Sequence, residues 1–283
     1  MTYFEVPILH QLFSTRLSHE FGREKQALPE IHVLDLGCGL GEQMVYMSRL
    51  GFRMSGCDIN ANLVNSTLAA LIQAGFANPD VRLSTVPTEL PFETNRFHAV
   101  YANGVFEHCS EMPSLVAEVS RVLMPNGVFI TAFPLRSVIM ETHVRLPFVH
   151  WFAKGRTQQS LIRTMSYLLP HEERNWPWIE RYLQYNVFYW TRVQVKQILD
   201  RHFGETKSLA KEYLLMAKNQ MNPKPILRLA LAVTAVPIFE SILARLVSCQ
   251  WTYIVEASKP KRDRSNTAVQ HKECGSALLA SRF

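Results

Sequence analysis

Short apolar runs alternate with segments of helical spacing between residues 31 and 133 of this sequence. Five runs, each bounded by turn residues, have the length and composition of buried parallel strands. They are residues 31–36, 52–57, 81–86, 97–102 and 127–133. The segments between them carry apolar residues three and four positions apart and end at a glycine or proline, as helices do. The predicted helices are residues 42–50, 62–74 and 112–123. This alternation predicts an α/β protein with a parallel sheet covered by helices.

The alternation stops after residue 133. Residues 134–190 are rich in aromatic residues and hold three internal prolines, which predicts an insertion over the sheet. Residues 191–202 have helical spacing, and two further strands are predicted at residues 206–215 and 252–257. A mostly apolar helical segment lies between these two strands, at residues 226–247.

These elements predict one core with additions at both ends and in the middle. The segments are an N-terminal helical segment (1–29), a core (30–135), a helical lid that would bind an acceptor (136–190), the C-terminal part of the core (191–258, including the apolar insertion 226–247) and a polar, disordered tail (259–283).

The run VLDLGCGLGE at residues 33–42 carries the clearest chemical signal. A strand that ends in three alternate glycines and opens a helix lets backbone N–H groups approach a ligand closely. A simple tight turn explains neither the three glycines nor Asp35 before them. A dinucleotide site requires a glycine at the position of Glu42, where an acid would face a pyrophosphate. The pattern therefore favours a ligand without phosphate.

At these residues the sequence resembles a known family. VLDLGCGLG is similar to the first motif of class I S-adenosylmethionine-dependent methyltransferases, and the stretch from LPFETNRFHAVYANGVFEHCS to VLMPNGVFITAFP resembles their type 11 branch. The resemblance covers residues 30–135 well and residues 191–260 loosely. It implies a Rossmann-like, mostly parallel sheet of seven strands, the last one antiparallel, with helices on both faces. It also implies S-adenosylmethionine as the cofactor.

The resemblance assigns roles to individual residues. Asp35 would hold the methionine end of the cofactor, and Gly37, Gly39 and Gly41 would pass beneath it. Asp58, at the end of the second strand, would accept hydrogen bonds from both ribose hydroxyls, as a carboxylate can. Asn103, after the fourth strand, would line the methionine end.

The adenine end departs from the family pattern. Relatives often place an acid that contacts the adenine amine at the position of Val86, and here Pro87 follows, which has no N–H to donate. Adenine recognition must therefore differ from the pattern. We expect it to involve Thr88 or an apolar slot that includes Ile59.

Methyl transfer to an oxygen acceptor also needs a group that removes a proton. Glu107 and His108 follow the fourth strand, close to the expected cofactor site. The insertion adds further candidates, which are Glu141, His143, His150 and His171. We expect either His108 or His143 to act as the base, although each of these histidines could instead be structural.

No metal ion is expected from the sequence. Some quinone O-methyltransferases that resemble this region use an acid for a metal at the position of Gly104. The aromatic residues of the insertion could build an apolar acceptor pocket or serve as the core of the lid.

Composition and charge narrow the function further. The chain has 283 residues, and none of its apolar runs reaches the 18 residues of a membrane-spanning helix. The five cysteines lack metal-site spacing, which is typical of a reducing compartment, so we expect a cytoplasmic protein without a secretory signal. Residues 226–247 could touch a membrane interface. The tail, with six basic and two acidic residues, carries most of the net charge of +6, so we expect no nucleic-acid partner.

The leading hypothesis is an S-adenosylmethionine-dependent methyltransferase that acts, preferably on oxygen, on a small or lipid-linked molecule. The main alternative is an inactive protein of the same fold that serves as a binding or scaffold subunit. A nicotinamide dehydrogenase is disfavoured by Glu42. A nucleic-acid methyltransferase is disfavoured by the sequence ANGV at residues 102–105, where an amino-methylating enzyme would carry NPPY or DPPY.

Overall fold

The computed structural model describes residues 8–22, 28–168, 176–219 and 253–261. A seven-stranded sheet lies at its centre, with the order β3-β2-β1-β4-β5-β7-β6. The strands are β1 (His32–Leu36), β2 (Arg53–Asp58), β3 (Asp80–Leu83), β4 (Phe97–Asn103), β5 (Leu123–Phe133), β6 (Phe203–Ser208) and β7 (Tyr253–Pro260). β7 is antiparallel to both β5 and β6, and the other pairings are parallel. The seven-stranded, mostly parallel sheet expected from the sequence is confirmed.

The chain reverses its direction of travel across the sheet between β1 and β4. β1 pairs with β2 on one side and with β4 on the other. A crevice opens outside the carboxyl ends of the strands at such a switch point, which is the usual ligand site of open α/β sheets. The glycine run, Asp58 and Asn103 all lie at this edge, because they end or directly follow β1, β2 and β4.

Helices cover both faces of the sheet. The helices of the core are α1 (Ile8–Gly22), α2 (Glu42–Arg49), α3 (Ala61–Gln73), α4 (Met112–Val122), α7 (Arg192–His202) and α8 (Ala210–Asn219). One apolar layer joins α4 and α7 to alternate residues of the strands, such as Leu34 and Val100. The other joins α1, α2 and α8 to the intervening residues, such as Val33 and Ala99. This alternation places successive strand residues in opposite layers, so both faces of the sheet are buried.

The insertion after β5 forms a small layer of its own. Its helices are α5 (Arg156–Leu168) and α6 (Trp176–Asn186). Its core includes Val144, Leu146 and Ile179. Hydrogen bonds at the end of this layer tie it to the turn that follows β4, because the Phe188 N–H donates to the Glu107 carbonyl at 2.6 Å and the Trp190 indole N–H donates to the Phe106 carbonyl at 3.1 Å. The lid is therefore fixed to the edge of the sheet where the candidate site residues lie.

The strand predicted at residues 206–215 is correct only for residues 206–208. β6 ends at Ser208, and α8 begins at Ala210. Leu209, Tyr213 and Met216 lie three and four residues apart and pack into the same apolar layer as α1. A short apolar run fits either a strand or a helix, and here the packing of these residues on the sheet favours the helix.

Other boundaries moved by a few residues. β3 ends at Leu83, three residues before the predicted end, and β5 begins at Leu123, ahead of the turn at Pro125. β7 continues to Pro260, so the predicted tail starts two residues too early at position 259. The apolar segment 226–247 and nearly all of the tail lie outside the described residues. In the part of the chain that the structure covers, no helix has the length and apolar character needed to cross a membrane.

A cofactor crevice and an acid–histidine cluster

The glycine run forms a loop that its neighbours hold in place. The backbone N–H groups of Gly37 and Cys38 both donate to the Cys57 carbonyl at the end of β2, at 2.8 and 3.1 Å. From α3, the Thr67 hydroxyl donates to the Gly39 carbonyl at 2.7 Å. Both neighbouring elements therefore fix the path of the loop before any ligand binds.

The glycines of the loop are needed for different reasons, although each has a positive φ of 55° to 82°. A Cβ at Gly37 would lie 2.5 Å from the Val105 side chain, and a Cβ at Gly41 would lie 2.9 Å from Thr67. At these two positions the neighbouring side chains leave no room for a Cβ atom. A Cβ at Gly39 would have no atom within 4 Å, so it would point into open space above the loop. Gly39 is thus the position where the bare backbone faces the crevice.

Asp58 sits opposite Gly39 at the end of β2. One of its carboxylate oxygens accepts a hydrogen bond from the Gly39 N–H at 3.1 Å, and the other accepts one from the Asn60 N–H at 2.9 Å. A carboxylate has about four acceptor positions, so each oxygen keeps one for a ligand. The side chain is fixed by backbone donors and can still bind a pair of hydroxyl groups.

Asp35 lies below the loop in a cavity of about 230 Å³. Its carboxyl group is 3% exposed. Burial, together with the negative charge of Asp58, raises the pKa of Asp35 to about 7. A buried carboxylate without a cation is costly, so a positively charged ligand in this cavity would stabilise its ionised form.

Two neighbours of Asp35 in this cavity are buried and lack partners. Neither amide atom of Gln43 nor the hydroxyl of Tyr101 has a hydrogen-bond partner among the described residues. Buried polar groups are rarely left unpaired, and a site for a ligand or a bound water is the usual explanation. An acid, an amide and a hydroxyl that converge on one cavity fit the ammonium and carboxylate of an amino acid.

Several residues at this cavity were not found from the sequence. They are His10, Cys38, Leu40, Glu42, Gln43 and Tyr101. Tyr101 could have been predicted from the sequence, because it lies two residues before Asn103 on β4 and therefore shares its face. His10 was not, because only the packing of α1 on the sheet brings it there.

Only some of the residues predicted to bind the cofactor line this cavity. Asp35, Gly37 and Asn103 line the cavity itself. Ile59 follows Asp58 and is 64% exposed, so it offers an open apolar surface. Thr88 is half-buried in the loop after β3 and does not line this cavity. Its expected contact with adenine stays a prediction.

A second cluster lies beyond Asn103, where the turn after β4 meets the lid. The Glu141 carboxylate is 1% exposed and accepts hydrogen bonds from the backbone N–H groups of His143 and Val144, both at 2.8 Å. It also accepts one from Nδ1 of His143 at 2.8 Å. Burial raises the pKa of Glu141, but these hydrogen bonds outweigh it, so the pKa is lowered overall. Glu141 is therefore an ionised group that orients His143.

Glu107 and His108 face His143 from the core. Glu107 is 4% exposed, and burial raises its pKa to about 7. Nδ1 of His108 donates to the Asn186 carbonyl at 2.6 Å, and the rings of His108 and His143 lie 5.0 Å apart. Burial lowers the pKa of His143, but the hydrogen bond and charge of Glu141 outweigh it, so the pKa is raised. The fold thus brings together both histidines that the sequence offered as the base.

The remaining lid candidates are separate from this cluster or undescribed. Nε2 of His150 donates to the Val138 carbonyl at 2.7 Å, and burial lowers the pKa of this side chain. Such a contact is typical of a structural histidine. His171 lies outside the described residues. Of the lid aromatics, Tyr182 and Tyr189 pack against the lid core, whereas Trp151 and Phe152 are about 45% exposed.

The chain was compared with protein families and with known proteins. Residues 34–131 match the family model described as "Methyltransferase domain". Over 119 residues the chain is 30% identical to the ubiquinone biosynthesis O-methyltransferase of Hahella chejuensis, covering 42% of this chain and 49% of that protein. Over 108 residues it is 29% identical to the sterol 4-C-methyltransferase strm-1 of Caenorhabditis elegans, covering 38% and 32%. The chain thus spans less than half the length of either relative.

A solved structure has the same fold. It is a geranyl diphosphate C-methyltransferase from Streptomyces coelicolor in complex with Mg²⁺, geranyl-S-thiolodiphosphate and S-adenosyl-L-homocysteine. Its TM-score is 0.50 at 16% identity, with 89% of this chain and 76% of that one covered. At this identity the likeness concerns the fold alone.

Proposed function

We propose that this protein transfers a methyl group from S-adenosylmethionine to a small-molecule acceptor. The match of residues 34–131 to the family model described as "Methyltransferase domain" supports this proposal. The observation that carries the proposal is the crevice over the glycine loop. It combines the buried acid Asp35, two buried and unpartnered polar side chains and the backbone-held carboxylate of Asp58.

S-adenosylmethionine would lie along this crevice, with its methionine end at Asp35 and its ribose at Asp58. The methionine ammonium would pair with Asp35, which supplies the negative charge, while Gln43 and Tyr101 supply donors and acceptors to the amino-acid group. The ribose hydroxyls would bind the free acceptor positions of Asp58. Ile59 and Leu40 are both at least 60% exposed and would cover the adenine ring. Asn103 would complete the methionine end.

When bound, S-adenosylmethionine supplies an electrophilic methyl group, and the protein supplies orientation. The acid–histidine cluster begins four residues after Asn103, at the turn that also places Val105 against Gly37. The residues 136–190 that form the lid would close over the acceptor on this side and exclude water. The acceptor would therefore lie between the cofactor and the cluster.

We favour an oxygen acceptor because the cluster offers a proton acceptor at this place. The pair Glu141–His143 keeps Nδ1 of the histidine protonated, which leaves Nε2 free to take a proton from a hydroxyl group. His108, which lies beside His143, is the alternative base. Carbon and nitrogen acceptors are the competing classes, and the matched relatives include both an O- and a C-methyltransferase.

An inactive binding protein of this fold is the second candidate function. Val86 and Pro87, where relatives contact adenine, are the residues that favour it. Such a protein would transfer no methyl group, whether or not it binds S-adenosylmethionine. A scaffold does not need Asp58 or the bare backbone of Gly39 that faces the crevice, and we regard both as support for the active enzyme.

Calorimetry with S-adenosylmethionine tests the proposal, with NAD as the control ligand. We expect one site per chain that is lost in Asp58→Ala and does not bind NAD. No binding of S-adenosylmethionine by the unaltered protein contradicts the proposed cofactor, whereas retained binding by Asp58→Ala contradicts the role proposed for Asp58. A screen of phenols and lipid-linked hydroxyl compounds with the methyl-labelled cofactor then tests transfer itself.

A further inference from the structure

Three side chains with metal-binding atoms converge where the lid meets the core. Glu107 and His108 come from the turn after β4, and His143 comes from the lid. One ligand atom of each lies within 4.8 Å of those of the other two. Two ligand atoms on one tetrahedral ion of zinc type lie roughly 3.4 Å apart, given bonds of about 2.0–2.2 Å. A side-chain adjustment of about 1 Å would therefore close this set around an ion.

Both histidines are already held in the form that a metal requires. Nδ1 of His143 donates to the Glu141 carboxylate, and Nδ1 of His108 donates to the Asn186 carbonyl. In each ring this leaves Nε2 with a free lone pair when the ring is neutral. A metal-binding histidine usually donates its other N–H to a carboxylate or a backbone carbonyl, which fixes its tautomer and orientation. Here both kinds of partner are present, the carboxylate for His143 and the backbone carbonyl for His108.

Glu107 provides the independent observation. Its side chain is 96% buried, and its Oε2 atom has no hydrogen-bond partner among the described residues. A buried carboxylate oxygen without a partner is unfavourable, and it calls for a proton or a cation. A nitrogen of each histidine ring lies within 4.8 Å of a Glu107 carboxylate oxygen, so a cation held by the two rings would be within reach of this carboxylate.

We propose that Glu107, His108 and His143 bind one divalent metal ion of the zinc class, with Glu141 and the Asn186 carbonyl as the partners that orient the two histidines. Two imidazoles and one carboxylate suit Zn²⁺, Co²⁺ or Ni²⁺ better than Mg²⁺ or Ca²⁺, which prefer oxygen ligands. Three protein ligands leave a fourth position open, as in catalytic zinc sites. The open position would face the proposed acceptor.

The site joins the core to the lid. Glu107 and His108 are consecutive, but His143 lies 35 residues further on and reaches them only through the lid fold. The expectation of no metal rested on Gly104 and on the spacing of the cysteines, because the sequence does not show that the lid supplies a third ligand. A bound ion would occupy the nitrogen that the general-base role of His143 requires, so the metal-loaded and metal-free proteins would differ in how an acceptor loses its proton.

Titration of the untagged, metal-free full-length protein with Co²⁺ tests the site without cofactor or acceptor. We expect one equivalent to bind and to produce the visible absorption bands of a tetrahedral or five-coordinate ion. The ligand variants Glu107→Gln and His143→Ala should each weaken binding more than 100-fold. Glu141→Gln, which alters only the partner of His143, should weaken it about 10- to 100-fold. His19→Ala, an exposed histidine on α1, should bind as the unaltered protein does.

Binding of S-adenosylmethionine to each variant serves as the folding control, because the crevice does not include these side chains. Glu107→Gln is nearly isosteric and guards against loss of binding through misfolding. The proposal is overturned if the protein binds no cobalt, or if cobalt binding is unchanged in Glu107→Gln and His143→Ala. Failure of cobalt binding with intact cofactor binding would leave the proposed function standing.

Discussion

The Asp58 carboxylate accepts a hydrogen bond from the backbone N–H of Gly39, 19 residues earlier in the chain, at 3.1 Å. This contact links the ends of β1 and β2, which are neighbours in the sheet. It holds the acid and the bare backbone in fixed relation before a cofactor binds. The crevice is therefore preorganised, and less binding energy is lost to ordering it.

Asp58→Asn should weaken S-adenosylmethionine binding by about 10- to 150-fold, because a hydrogen bond to a charged group is worth about 1.5–3 kcal/mol. The amide keeps one acceptor oxygen, so it cannot serve Gly39, Asn60 and two hydroxyls together. Calorimetry measures the change. Asp200→Asn on α7, an exposed carboxylate, is the control and should bind normally. Equal affinity of Asp58→Asn and the unaltered protein would exclude Asp58 from the site.

Gly39 and Gly75 form a matched pair that separates backbone strain from ligand contact. Both have positive φ, of 55° and 93°, and a Cβ at either would have no atom within 4 Å. Alanine should cost each site roughly 1–2 kcal/mol of unfolding free energy through backbone strain alone. Only Gly39→Ala should reduce cofactor affinity, since Gly75 follows the C-terminal end of α3, whereas the crevice lies at the end where α3 begins.

Denaturant unfolding and calorimetry on both variants check this expectation. Similar losses of stability with a loss of affinity in Gly39→Ala alone would support the crevice. Equal affinity losses in both variants would indicate that the effect is indirect.

The sequence predicted how the candidate residues of the core come together much better than it predicted how those of the lid do. Asp35, Asp58 and Asn103 lie at or next to the ends of strands that local patterns predict, so their meeting at one edge follows from the topology. The pairing of Glu141 with His143, and their contact with Glu107, depends on how a lid without strong periodicity folds back on the core. The helix at Ala210–Asn219 was missed for a similar reason, because a short apolar run fits a strand or a buried helix equally well.

Asp35→Asn should stabilise the cofactor-free protein at neutral and alkaline pH. The pKa of Asp35 is raised to about 7 in the folded protein, against roughly 3.9 in an unfolded chain. As pH rises from about 4 to 7, the unfolded state binds fewer protons at this group than the folded state does, so the native protein loses stability. The variant has no carboxyl group at this position and therefore does not lose this stability. Its free energy of unfolding should equal that of the unaltered protein near pH 4, exceed it by a growing amount up to pH 7 and keep a constant excess above pH 7.

Thermal unfolding of both proteins across this pH range measures the difference. Saturating S-adenosylmethionine should reverse the order at pH 8, because its ammonium stabilises the Asp35 carboxylate and the variant cannot supply this charge. A constant difference between the two proteins from pH 4 to pH 8 would contradict the assignment of the raised pKa to Asp35.

Glu141→Gln should loosen the lid next to the cluster without disturbing the sheet. The carboxylate accepts from the backbone N–H groups of His143 and Val144 through one oxygen and from the His143 ring through the other. An amide has only one oxygen that can accept, because its NH₂ group is a donor. Hydrogen exchange at the amides of His143 and Val144 should accelerate about tenfold, while amides of β1 and β4 keep their rates. Glu111→Gln, an exposed residue before α4, is the control. Unchanged exchange at both lid amides would show that Glu141 does not organise this segment.

His143 and His108 can be distinguished as the base once an oxygen acceptor is identified by screening. His143 is held by an ionised carboxylate, which stabilises its protonated form, whereas His108 is held by a neutral carbonyl. With a chelator present to keep the protein metal-free, His143→Gln should lower kcat by about 10²- to 10⁴-fold, the usual contribution of a general base. Its affinity for S-adenosylmethionine should not change. His108→Gln should reduce kcat less, and His150→Gln, a buried lid histidine bonded to the Val138 carbonyl, should leave it nearly unaltered. A larger loss in His108→Gln than in His143→Gln would transfer the role to His108, and full turnover in both would exclude histidine as the base and favour an acceptor that needs none.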